Sequence, residues 1–158
     1  QQVAAFSLSE LIEQLNSSIE ALLQQHNARL SLHCSDTAHC LLGNQNALCG
    51  ALQNLIQNSI QAAGSGTQIS LDIGPSKQHS GMLSLCVTDN GPGVAPELRN
   101  SLFEPFVTGR SDGTGLGLAV VQAVAASHQG SVSYHTGSNG GACFEITLPQ
   151  HNMQGDTL

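Results

Sequence analysis

Asn54 and Asn58 stand four apart in a segment of helical apolar period, so both project from one side of a helix. Asparagine is a mediocre helix former, and two on one face beside a core ask for a reason. Either they are satisfied polar residues at a helix–loop contact, or they offer a carbonyl ligand to a hard cation such as Mg²⁺ and a donor to phosphate. Further along, Asp89 closes an alternating apolar run and is followed by Gly91 and Gly93. A carboxylate at a strand end can accept a hydrogen bond from the exocyclic amine of a flat ligand lying over low glycines; the plainer reading of Asn-Gly-Pro-Gly is a turn. The third group is FEPFVTGRSDGTGLGL, from Phe103 to Leu118, with Arg110 and then Gly113, Gly115 and Gly117 leading into an apolar helix. Without Cβ atoms the backbone can approach a phosphate chain, and the unpaired N–H groups and positive dipole end of the helix face such an anion. Alone, that loop is equally a tight turn.

The surrounding chain supplies the elements. Leu11, Ile12, Leu15, Ile19, Leu22 and Leu23 recur at helical spacing, which predicts a helix from an N-cap at Ser9 to about Gln25, with Phe6 and Leu8 in a short strand before it. Short strands are predicted over residues 29–34 and 39–42, then a second helix over 46–63 ending at Gly64. Segments 67–74 and 82–88 alternate like paired strands, 96–102 reads as a short helix, and 131–136 with 142–148 forms a last hairpin.

Composition narrows the function. The 158 residues suit one domain, with 40% hydrophobic and only 9% charged residues. A net charge of −7, with Arg29, Lys77, Arg99 and Arg110 as the only lysines and arginines, argues against a nucleic-acid surface. Arg99 and Arg110 lie beside the glycine loop, as a local anion site or as two surface arginines. Five cysteines lying mostly in apolar runs predict buried thiols in a reducing compartment, and the His33-Cys34 and His39-Cys40 pairs match no familiar zinc spacing. No run approaches the roughly 20 apolar residues that cross a bilayer, and no signal peptide opens the chain, so a soluble, cytoplasmic piece without membrane contact is expected.

Asn54-x3-Asn58, Asp89-x-Gly91-x-Gly93, Phe103-x2-Phe106 and Gly113-x-Gly115-x-Gly117, in that order, resemble the N, G1, F and G2 boxes of the catalytic domain of sensor histidine kinases. That family sits in the ATPase superfamily shared with gyrase, Hsp90 and MutL. NLIQNSIQAA, DNGPG, LFEPFVT and GTGLGL carry the resemblance, which runs from about Phe6 to Pro149. The short lid and the NSIQA wording are most similar to the nitrogen-regulation and flagellar-regulation branch.

The resemblance implies an α/β fold of the Bergerat type, an α+β two-layer sandwich whose mixed, mainly antiparallel sheet has three helices on one face. Residues 1–150 would form this ATP-binding domain and 151–158 a frayed tail. It implies ATP and Mg²⁺ as ligands. Asn58 would bind the metal and Asn54 the phosphates, with Asn54 and Arg110 as the catalytic residues. Asp89 would take the adenine amine, with Gly91 and Gly93 giving the ring room. Phe103 and Phe106 would anchor the lid. Thr108, Arg110 and the backbone of Gly113, Thr114, Gly115, Leu116 and Gly117 would surround the phosphates.

Three departures stand out. Gln61 occupies a position where many relatives have lysine, Asn44 one where aspartate is common, and Ala142 one where threonine or serine is frequent, which puts an adenine-side water contact in question. None of the seven histidines lies in an H-E-x-x-N-P context, and His26 and His128 read as surface or helix-end residues. The phosphoacceptor is therefore expected on a dimerisation hairpin before Gln1, with a response regulator as further partner. Asn54 stands where hydrolytic relatives place a glutamate base, and an amide cannot take a proton from water. The expectation is a domain that holds ATP for a distant histidine. The rivals are a hydrolytic ATPase or serine kinase of the same superfamily, and a degenerate docking module without nucleotide.

Overall fold

The computed structural model describes residues 3–104, 117–137 and 140–150. A short strand, β1 (Ala4–Ser7), passes directly into α1 (Leu8–Gln25). Ser7, not Ser9, is the N-cap: its Oγ accepts the Glu10 N–H at 3.1 Å, and Glu10 Oε1 accepts the Ser7 N–H at 2.8 Å. That reciprocal box needs an acid three residues after the cap, which Ser7 has and Ser9, followed by Ile12, lacks. Leu8 thus opens the helix and, with Leu11, Leu15 and Ile19, forms its buried stripe.

Strands β2 (Arg29–Cys34) and β3 (Cys40–Gly43) go to different sheets. β3 pairs antiparallel with β1, whereas β2 joins the main sheet. Helix α2 (Gln45–Ala63) is capped by Asn44, whose Oδ1 accepts the Ala47 N–H at 3.0 Å, and it ends at Gly64, where φ is +83°. Only glycine enters that conformation without strain. β4 (Gln68–Pro75), β5 (Met82–Asp89), a 3-10 helix (Pro96–Ser101), α3 (Gly117–Ser127), β6 (Ser131–Thr136) and β7 (Ala142–Pro149) follow.

The main sheet has the order β2-β4-β5-β7-β6 and is antiparallel except where β2 meets β4. Period-2 alternation decides its faces. Ile69, Leu71, Ile73, Leu83, Leu85, Val87, Phe144, Ile146 and Leu148 are buried in one core with Leu48, Leu52, Leu55, Ile56 and Ile60 of α2 and Val121 and Ala125 of α3. α2 and α3 pack on the sheet, and α1 packs on α2. This is the two-layer α/β architecture, with a mixed and mainly antiparallel sheet, that the family resemblance implied.

The other face carries Ser84, Cys86, Thr88, Cys143 and Glu145, all half-exposed. The expectation of buried thiols therefore fails for most of the cysteines. Cys49 alone is buried, Cys40 is exposed, and Cys34, Cys86 and Cys143 lie between. An apolar run does not reveal which of its two faces meets the helices.

Candidate functional site

β5 keeps its inward alternation to the last residue, so Asp89 follows Leu83, Leu85 and Val87 into the interior and is only 2% exposed. Its Oδ1 accepts the Gly91 N–H at 2.8 Å and the Ala142 N–H at 3.2 Å. Its Oδ2 is buried and has no partner among the described residues. A buried acceptor without a donor costs on the order of 1–3 kcal/mol, and an N–H from a ligand removes that cost. The saturated oxygen fixes the carboxylate while the other remains able to select a donor.

The glycines after Asp89 are required by the protein's own packing. A Cβ on Gly91 would lie 2.9 Å from the Ala63 Cβ at the end of α2. Gly93 has φ +79°, and a Cβ there would lie 2.9 Å from the Gly140 carbonyl oxygen. Gly141 was not singled out in the sequence, yet its Cβ would fall 2.0 Å from the Asp89 carbonyl oxygen. Asn90 ties the same loop to β4 by accepting the Gln68 N–H at 3.0 Å, and Tyr134 Oη accepts the Val94 N–H at 3.1 Å. Arg99 lies over the Tyr134 ring, 5.7 Å from its centroid, and donates from Nε to the Val94 carbonyl at 3.0 Å. Its guanidinium therefore braces the loop.

Asn54 and Asn58 share one side of α2 and are half-buried. A Cβ on Gly117, the first residue of α3, would lie 3.9 Å from Asn54 Oδ1. The start of α3 thus meets α2 at Asn54, and the Asp89 loop meets it at Ala63. Those nine residues correspond to roughly 13 Å of helix, a span suited to an extended ligand with a ring at one end and an anion at the other. Phe103 packs edge-on against Phe144, centroids 6.2 Å apart at 88°. Phe106, Thr108, Arg110, Gly113, Thr114, Gly115 and Leu116 lie outside the described residues.

Residues 43–152 match the family of histidine kinase-, DNA gyrase B- and HSP90-like ATPases. The chain belongs to this family of ATPases. Among relatives, the sensor histidine kinase ZraS of Escherichia coli K12 is 32% identical over 138 residues, covering 85% of this chain and 29% of that protein. The C4-dicarboxylate transport sensor protein DctS of Rhodobacter capsulatus is 29% identical over 149 residues, covering 94% of this chain and 23% of that protein. The chain spans about a third or less of such relatives. The catalytic domain of the histidine kinase ThkA superposes with a TM-score of 0.83 at 24% identity, over 95% of this chain and 97% of that one. Full-length ShkA in complex with AMPPNP gives 0.78 at 26%, over 94% and 31%.

The chain holds the Asp89 carboxylate in a backbone cradle that does not depend on the side chain at Ala142. That residue contributes its N–H to Asp89, and its methyl is 4% exposed. Of the two readings of His128, the helix-end one holds, since the residue directly follows α3, and the surface one does not. His128 is 4% exposed, with Nε2 accepting the Asn44 N–H at 3.0 Å and Nδ1 lying 2.8 Å from the Val124 carbonyl oxygen. Among the described residues no cluster of histidine, cysteine and carboxylate side chains suits a metal ion, and no helix is long and apolar enough to cross a membrane.

Proposed function

We propose that this chain is the ATP-binding catalytic domain of a two-component sensor histidine kinase, holding Mg·ATP in the cytoplasm, where that nucleotide is available. The observation that carries the reading is Asp89, one oxygen saturated by backbone and the other buried and unpartnered among the described residues. An adenine amine is a donor of the right kind for it. Asn54 and Asn58 fit a phosphate and a hard cation respectively, because an amide offers both a donor and a carbonyl oxygen. Mg²⁺, when bound, supplies charge neutralisation on the phosphates, and Asn58 is the residue that would hold it. Gly91 and Gly93 border the ring. Thr108, Arg110 and the segment from Gly113 to Gly117 complete the phosphate side, with Phe103 and Phe106 as lid anchors.

The reaction is attack by a histidine imidazole nitrogen, on a dimerisation hairpin outside this chain, on the γ-phosphorus. The bond to the bridging oxygen breaks, ADP leaves, and a phosphohistidine forms for transfer to a response regulator. Positioning and charge neutralisation by Arg110 supply the catalysis. Asn54 cannot act as a base toward water, which favours transfer over hydrolysis. Support comes from the relatives named as sensor histidine kinases, and from the histidine kinase ThkA in complex with the response regulator protein TrrA. Calorimetric titration with a non-hydrolysable ATP analogue, with and without Mg²⁺, beside a phosphate-release assay, tests the reading. Mg-dependent binding with negligible release is expected; fast release, or no binding in the presence of the acceptor hairpin, overturns it.

A further inference from the structure

The half-exposed face of the main sheet carries a connected group of thiol, hydroxyl and imidazole side chains. On β7, Cys143 stands directly opposite Thr88 of β5 on one side and His135 of β6 on the other. Cys86 lies two residues before Thr88 on the same face, hence diagonal to Cys143, and its Sγ is 3.6 Å from Thr88 Oγ1. Cys86 and Cys143 are thus neighbouring thiols on one face of the sheet, with Thr88 beside both. His135 Nε2 is 3.1 Å from Glu145 Oε1 and from Ser133 Oγ, while Glu145 Oε2 accepts from Ser84 Oγ at 2.6 Å. The next strand places Asp72 opposite Cys86, with His33 Nδ1 3.4 Å from that carboxylate. The position is also specific: Thr88 immediately precedes Asp89 and Cys143 immediately follows Ala142, so the thiols lie behind the Asp89 cradle.

We propose that Cys143 is a modification site, a thiolate nucleophile toward hydroperoxides, with Cys86 as its hydrogen-bond donor and resolving thiol. In the first step the Cys143 sulfur attacks the terminal peroxide oxygen: the S–O bond forms, the O–O bond breaks, and the departing alkoxide or hydroxide takes a proton from water. The sulfur is oxidised to a sulfenic acid and the peroxide is reduced. In the second step the Cys86 sulfur attacks Cys143 Sγ, giving a disulfide and releasing water. Two thiols and one hydroperoxide thus become one disulfide, one alcohol or water, and one further water.

The hydrogen bond from Cys86 is the main reason the Cys143 thiol is lowered to about 6; Thr88 and His135 act in the same direction, against partial burial. Cys86 is raised in turn, by that same hydrogen bond first and by burial second, so the pair loses its first proton readily and its second with difficulty. At about pH 6 such a thiol is roughly half ionised, an ordinary one on the order of 0.3%. Its lower intrinsic nucleophilicity removes about tenfold of that advantage and leaves about tenfold.

The test is timed alkylation of the intact chain with iodoacetamide at about pH 6, each cysteine followed by peptide mass. Cys143 is expected to react about tenfold faster than Cys40, although Cys40 is the more exposed. Cys86→Ala, checked by circular dichroism for an unchanged fold, is expected to slow Cys143 and leave Cys40 alone, whereas Cys86→Ser, which keeps a donor, is expected to preserve the Cys143 rate while abolishing the disulfide. One equivalent of hydrogen peroxide is expected to join Cys86 to Cys143, with the loss of two hydrogens. Equal rates at Cys143 and Cys40, or a peroxide product confined to other cysteines, overturns the assignment. None of these readouts involves nucleotide, so their failure is separate from failure of the kinase reading.

Discussion

Asn44 donates its backbone N–H to His128 Nε2 at 3.0 Å, joining the start of α2 to the end of α3 across 84 residues. With Nδ1 against the Val124 carbonyl, the partners assign the tautomer: Nδ1 donates and Nε2 accepts. Gly43 completes the pocket, since a Cβ there would lie 2.4 Å from His128 Cδ2. His128→Ala removes a buried ring and orphans an N–H, and should cost about 2–4 kcal/mol. A urea midpoint close to that of the parent chain would show the contact to be dispensable.

Asp89→Asn tests the donor selectivity of the site. Oδ1 can go on accepting from Gly91 and Ala142, so the fold should persist, but an amide NH₂ in place of Oδ2 opposes another amine. Affinity for adenine nucleotides should fall about tenfold to a hundredfold, and preference over guanine should narrow. Calorimetric titration with both nucleotides decides it; undiminished adenine preference removes the carboxylate from the recognition role.

Asn58→Ala, at a half-buried position of α2, should leave the fold intact while abolishing the Mg-dependent part of nucleotide affinity. Equal affinity with and without Mg²⁺ in the variant, against a clear difference in the parent, is the expected pattern. A variant that retains the metal effect rules out this ligand.

Two glycine substitutions should move stability in opposite directions. Gly141→Ala drives a Cβ into the Asp89 backbone oxygen and should destabilise by upwards of about 2 kcal/mol, because that oxygen belongs to the backbone at the end of β5 and cannot give way cheaply. Gly50→Ala in the interior of α2 meets nothing within 4 Å and should stabilise by about 0.5–1 kcal/mol. Denaturant titrations of the pair, read against the parent, check both signs at once.

What was legible in the chain was local. Asp89 stood out because a period-2 apolar run ended in a carboxylate, and Asn54 with Asn58 because an i, i+4 pair of poor helix formers breaks an otherwise apolar pattern. The box order placed both in the right elements. Gly141 and Tyr134 did not stand out, because their importance comes from docking on strands and loops far away in the chain. The helix-end place of His128 was legible, but its burial was not, for the same reason: its partner is at the start of another helix. The first cap differs, since Ser7 and Glu10 are a reciprocal pair in the sequence, while the apolar spacing alone points further along, to Ser9. The thiols lay beyond local reading, because alternation alone does not tell which face the helices cover.

The hydrogen bond from Ala142 to Asp89 spans 53 residues of chain. During synthesis, everything up to β6 can emerge while the Asp89 carboxylate still lacks half of its backbone cradle. Non-local strand pairing of this kind forms late in folding. On the proposed function, competence to discriminate a base therefore arrives only with β7, and a ribosome-stalled or truncated chain ending before β7 would carry the asparagine pair and the carboxylate without the complete cradle.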